Sequence, residues 1–114
     1  MSGVFRIAGG AIDRIRTKLN STSPVDVAGS ADRPTPVMWF QCTEISGNTP
    51  NLTIAVYNAT TTTTYYLRNA KPMAAKEEIL FEAGIRLEKN EFLRITASAA
   101  NQVDVVGQTI LTQT

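Results

Sequence analysis

Histidine is absent from this chain of 114 residues. With it go the commonest general base near neutral pH and the commonest imidazole ligand for transition metals. Cysteine occurs once, at Cys42, which excludes an internal disulfide and a cysteine-rich zinc site. Charge is sparse and balanced, with 11 Lys and Arg against 10 Asp and Glu and a net charge of +1. That balance offers no overall field to draw the chain towards nucleic acid or an anionic membrane. Long apolar runs are also lacking, and none approaches the roughly 20 residues of a membrane-spanning helix. Met1–Arg6 has no charged start followed by an apolar stretch, so it does not read as a secretory signal. The glycosylation triplets at Asn20, Asn51 and Asn58 therefore carry no weight, and a reducing, soluble compartment is expected.

What the chain does have is apolar material, 43% of its residues, enough for one core at this length. A domain of this size buries roughly 60–70% of the surface its unfolded chain exposes, so it needs neither metal nor disulfide to hold together. Residues 1–35 read as irregular: Gly9-Gly10, a basic stretch Arg14-Ile15-Arg16-Thr17-Lys18, then a turn-rich passage to Pro34-Thr35-Pro36. Within it Ala11–Leu19 fits a helix through Ile12, Ile15 and Leu19, and equally a strand through Ile15, Thr17 and Leu19. Residues 36–114 alternate short apolar runs with turn residues, which is strand grammar.

Leu52–Tyr57 gives the clearest strand, with Leu52, Ile54 and Val56 on one face. The threonines Thr60–Thr64 lead into Tyr65-Tyr66-Leu67-Arg68, a solvated edge strand that Lys71-Pro72 should break. Over Glu77–Phe81 a strand is preferred to a short helix, with Ile79 and Phe81 inward. Ile85–Glu88 and Phe92–Ala97 follow around a polar turn at Lys89-Asn90-Glu91. Gln102–Leu111 is the last strand, in which Gly107 is expected to mark a bulge that switches the buried face. Seven or eight short strands with tight polar turns predict an all-β chain: an antiparallel β-sandwich or jelly-roll preceded by an extended N-terminal arm.

Chemistry is hard to find. Glu77, Glu78 and Glu82 interleave with apolar residues and point to solvent, and the aspartates lack calcium-loop spacing. Serines and threonines have no histidine to activate them. Gly9-Gly10 lacks the Gly-Lys-Ser/Thr of a phosphate loop. Cys42, inside the run Val37–Cys42, reads as a buried, unreactive thiol, and Trp39 and Phe40 as core residues. No catalytic residue, metal or cofactor is expected, and the chain reads as a structural or interaction protein. The candidates for binding a partner are Phe5, Arg6, Ile12, Arg14, Arg16 and Lys18. Tyr57, Tyr65 and Tyr66 form a second candidate, a face on which sugars would stack.

From Ser23 onward the sequence offers a pattern over about 90 residues. It begins with Val25-Asp26-Val27-Ala28-Gly29 and a turn at Arg33-Pro34, followed by the apolar strand Val37–Cys42. It ends with Ile85–Glu88, a turn at Asn90-Glu91, Phe92–Ala97 closing on Ala97-Ser98-Ala99, and a valine-rich strand through Val103 and Val105. In this pattern the chain resembles small structural proteins of tailed-bacteriophage particles, in which the turn is usually Gly-Asp or Gly-Glu. The resemblance implies a β-sandwich in the virion, most simply a capsid decoration (cement) protein attached through residues 1–35. It also implies the major capsid protein or other virion proteins as partners, and a homo-oligomer. A neck, collar or tail component and a carbohydrate-binding module are the alternatives. Neither a membrane nor a specific nucleic acid is an expected partner.

Overall fold

In the computed structural model, which describes residues 5–7, 10–82 and 84–112, alternating burial organises ten antiparallel strands and no helix among those residues. They are β1 (Phe5–Ile7), β2 (Gly10–Lys18), β3 (Val25–Ser30), β4 (Thr35–Glu44) and β5 (Asn51–Asn58). After a threonine turn come β6 (Thr63–Pro72), β7 (Glu78–Phe81), β8 (Ile85–Leu87), β9 (Glu91–Ala97) and β10 (Val103–Thr112). One sheet has the order β1-β2-β10-β4-β7, with β8 also on β4; the other has the order β3-β9-β5-β6. β7 and β8 lie end to end along β4, pairing with Phe40–Thr43 and Thr35–Val37 respectively, so together they form one interrupted edge strand.

The pairings are nested. β5 pairs β6, β4 pairs β7 and β8, β3 pairs β9, and β2 pairs β10. This is a long antiparallel ribbon folded over on itself, the arrangement of a jelly-roll-like sandwich. Leu52, Ile54, Leu93, Ile95 and Ala97 from one sheet meet Ile15, Val37, Phe40, Cys42, Val103 and Val105 from the other, all buried. Each Val, Leu, Ile or Phe side chain among them contributes roughly 1.5–3 kcal/mol of transfer free energy on burial. Phe81 closes one side of the core by stacking on Phe40, with ring centroids 4.6 Å apart.

The lead-in differs from expectation. The boundary expected at residue 35 coincides with no break: residues 10–18 and 25–30 are strands of the two sheets. β2 pairs with β10 from Gly10 to Lys18, and Ile15 and Leu19 are buried in the core. Strand spacing prevails over helical spacing because Ile15 and Leu19 cover the Val103–Val105 end of the core while Arg14, Arg16 and Lys18 reach solvent. The strand count accordingly rises from seven or eight to ten.

The bulge expected at Gly107 belongs to its neighbour. Val103, Val105, Gly107 and Thr109 are all buried, so the alternation of β10 never switches. Opposite it, Gln108 pairs with Trp39 and Thr109 with Val37, which leaves Met38 as the extra residue in β4. The buried set in β4 therefore changes from Thr35 and Val37 to Phe40, Cys42 and Glu44. Glycine is required at 107 because the bulged strand presses on it: a Cβ there would lie 2.4 Å from the Trp39 carbonyl oxygen. Trp39 itself is only half-buried, on the outer side, while Phe40 is the core residue.

Candidate interaction surfaces

β2 brings Arg14, Arg16 and Lys18 together in one exposed row, since residues two apart on a strand share a face. Lys18 Nζ lies 2.7 Å from Asp104 Oδ1, and Arg16 Nη1 donates to the Ile15 carbonyl at 2.9 Å. The register extends this row across the sheet. Arg16 stands beside Val106, Gln41 and Leu80, and Lys18 beside Asp104, Thr43 and Glu78. Arg14 leads through Gln108 to Trp39, whose Nε1 donates to Gln108 Oε1 at 3.3 Å. The outer face of this sheet therefore runs from basic at β2, through amide and apolar groups, to Leu80 and Glu78 at β7. A shallow hollow of about 220 Å³ lies over Arg16, Thr17, Lys18, Asp104, Val105 and Val106. Of the other candidates, Phe5 and Arg6 lie in β1 and Ile12 in β2, with Phe5 opposite Ile12 and Ile12 opposite Ile110. Their side chains lie outside the described residues.

The outer face of the β3-β9-β5-β6 sheet carries a different chemistry. The three tyrosines do not share it. Tyr65 pairs with Val56, whereas Tyr66 pairs with Ala55, so the adjacent tyrosines of β6 point to opposite sides. Tyr66 joins Tyr57, Thr53, Thr64, Arg94 and Thr96 around the small side chain of Ala55. Arg94 is fixed in place by three contacts. Its Nε and Nη2 donate to Asp26 at 2.8 and 3.2 Å, and its guanidinium sits 3.9 Å from the centre of the Tyr57 ring. The resulting notch has a volume of about 150 Å³ and is lined by Pro24, Thr53, Ala55, Thr64, Tyr66, Arg94 and Thr96.

The β6 edge is shaped against strand addition. Between Leu52 and Ala55 its register with β5 shifts twice, which places extra residues in β6 around Ala70, at φ 51°, and at Leu67. Lys71 and Pro72 end it with a charge and a missing N–H donor, at the break expected there. Bulges twist an edge away from an incoming strand, so β6 is a poor template for strand addition.

One carboxylate escaped the sequence reading. Glu44 is fully buried at the end of β4 and accepts hydrogen bonds from the backbone of Ser46, Gly47 and Lys76 at 3.0, 2.8 and 3.0 Å, and from the Ser46 hydroxyl. Burial alone would raise its pKa; the hydrogen bonds from Lys76, Ser46 and Gly47 outweigh that and bring it down to about 2. Gly47 and Lys76 both have left-handed backbones, at φ 87° and 63°, so Glu44 ties together the loops after β4 and before β7. The legible signal was a glutamate on the buried parity of an apolar strand, two residues before Ser46-Gly47. Cys42, beside it on the same face, is buried, and that burial pushes its thiol up to about 12. Glu77 closes the turn before β7 by accepting from Ala74 N at 2.7 Å and pairs with Lys71 at 3.4 Å, while Glu78 and Glu82 are exposed. Among the described residues no group of three or more Cys, Asp or Glu is placed to hold a metal ion.

No protein-family model matches the chain, and no curated protein sequence matches it. Solved structures do. A pentameric capsid protein isolated from metagenomic phage sequences aligns with 96% of this chain and 66% of its own, at 14% identity and a TM-score of 0.51. The chain thus spans just under two thirds of that protein's length. A second structure of a pentameric capsid protein from metagenomic phage sequences covers 96% of this chain and 70% of its own, at 15% identity and a TM-score of 0.49. A xylan-binding domain from Paenibacillus barcinonensis covers 90% and 70%, at 10% identity and a TM-score of 0.41. At these identities the likeness to the first capsid protein is one of fold: a β-sandwich of jelly-roll-like order.

Proposed function

We propose that the chain is a structural subunit of a tailed-phage particle, added in many copies to the head surface as a decoration protein. The observation that carries this reading is the fold, shared over 96% of the chain with a pentameric phage capsid protein. The surface chemistry supports it. Two broad outer faces offer charge, hydroxyl and aromatic groups, while the β6 edge is bent and blocked against uncontrolled pairing. The row Arg14, Arg16 and Lys18 supplies the basic contact for an acidic neighbour on the head, and many such weak contacts add up on a lattice. The role is structural and the chain turns over no substrate; its partners are the major capsid protein and further copies of itself.

Quantitative mass spectrometry of purified particles tests the reading. Hundreds of copies per particle are expected for decoration. A ring of about a dozen or fewer would instead make the chain a neck, collar or tail part, because such parts form closed rings of small symmetry. Absence from the particle would overturn both. In a binding assay with undecorated heads, Arg16→Glu should weaken attachment and added salt should weaken it further.

A further inference from the structure

The notch on the outer face of the four-stranded sheet is unrelated to lattice attachment through β2, and its chemistry is specific. Three register rows cross it. Asp26, Arg94, Ala55 and Tyr66 form the middle row, with Thr96 and Thr53 on one side and Phe92, Tyr57 and Thr64 on the other. Ala55 is the smallest side chain in the centre, so the face dips there between the Arg94 guanidinium and the Tyr66 ring. A notch of about 150 Å³ is smaller than the roughly 300–1,000 Å³ of sites for drug-sized ligands, and suits one ring.

We propose that this notch binds a single pyranose ring of a neutral glycan. A sugar ring presents an apolar face of C–H groups and a rim of hydroxyls, each both donor and acceptor. Tyr66, 57% exposed, offers the aromatic surface for the first. The hydroxyls of Thr53, Thr64 and Thr96 offer partners of the same dual character for the second. Thr53 Oγ1 already accepts from Ala70 N at 3.0 Å, which leaves its hydrogen to donate outward. Arg94 uses Nε and Nη2 on Asp26, so Nη1 is left without a protein partner among the described residues and donates to a ring hydroxyl. Asp26 balances the Arg94 charge and every other lining group is uncharged, so the site favours a neutral sugar over an acidic one. The contact with Tyr57 and the bond to Asp26 hold Arg94 before any ligand arrives, which limits the ordering entropy of binding.

The test is a glycan array probed with the full chain, followed by calorimetric titration of the best neutral oligosaccharide. Three variants are compared after circular dichroism confirms their fold. Tyr66→Ala and Thr96→Val should each weaken binding, Tyr66→Ala by about tenfold or more, equivalent to ~1.4 kcal/mol. Tyr65→Ala, on the opposite side of the same strand, should bind as the parent does. The proposal is overturned by an array without neutral glycan binding, by unchanged affinity in Tyr66→Ala, or by equal loss in Tyr65→Ala. Binding confined to acidic glycans and abolished by salt would equally sink it. Because none of these readouts involves phage particles, their outcome is independent of whether the chain decorates a head.

Discussion

Glu44 shows how one side chain organises two loops. Its folded pKa of about 2 lies below the ordinary 4.5, so the carboxylate stabilises the fold fully above pH 4.5. That contribution fades as the pH falls from 4.5 through 2, where the proton returns. A glutamine at this position keeps one acceptor oxygen and must turn its amide hydrogens towards one of two donor groups, the Gly47 and Lys76 N–H pair or Ser46. Glu44→Gln should therefore lower the urea midpoint at pH 7, and the gap to the parent should narrow steadily in titrations at pH 4, 3 and 2. A constant gap across that range would mean that charge at 44 is irrelevant. Gly107 makes the complementary point about legibility. Its irregularity was visible in the sequence, but whether the bulge lay on its own strand or on the one beside it depends on Trp39 and Phe40, some 67 residues earlier, 107 less 40. Close approach between strands distant in sequence leaves no local trace.

Among the elements, β5, β7, β9 and β10 were legible because apolar residues recur two apart in each, as at Leu52, Ile54 and Val56 or Val103 and Val105, and turn residues bound them. β2 and β3 were not. Arg14-Ile15-Arg16-Thr17-Lys18 has one apolar residue in five and satisfies two periods at once, and β3 carries an extra residue at Val27 that blurs its alternation. Only the partner strand β10 decides the first, and only β9 the second. The candidate surfaces were legible to the same degree. The β2 row was found as a set of cations, but the opposite facing of Tyr65 and Tyr66 follows from register, which composition does not reveal. The structure also changes what a truncation should do. Deleting the first 20 residues removes β2 together with the buried Ile15 and Leu19, and should abolish the cooperative urea transition. In the full-length chain, Leu19→Ala should reduce stability by about 2–5 kcal/mol in the same titration. A truncated chain that unfolds like the parent would return these residues to the role of a detachable arm.

At the scale of the whole molecule, the sandwich is held by pairings between residues far apart in sequence. β2 with β10 spans most of the chain, from Lys18 opposite Asp104 to Gly10 opposite Thr112. Such topologies fold in milliseconds to seconds, because distant segments must meet before contacts reward them. The absence of histidine and of disulfides fits a sandwich whose stability rests on buried apolar area. Its two outer faces then differ in chemistry, one running from cationic to apolar and acidic, the other hydroxylated and aromatic.

The position of β10 between β2 and β4 has a consequence for biosynthesis. The strand that joins these two neighbours is synthesised after both of them, so a nascent chain stalled before Val103 holds both with a gap between them. Arrest at residue 102 should leave β2 and β4 protease-sensitive, and emergence of Val103–Thr112 should confer protection in a single step. Partial protection of the stalled chain would show that the β3-β9-β5-β6 layer can stand before its counterpart is complete.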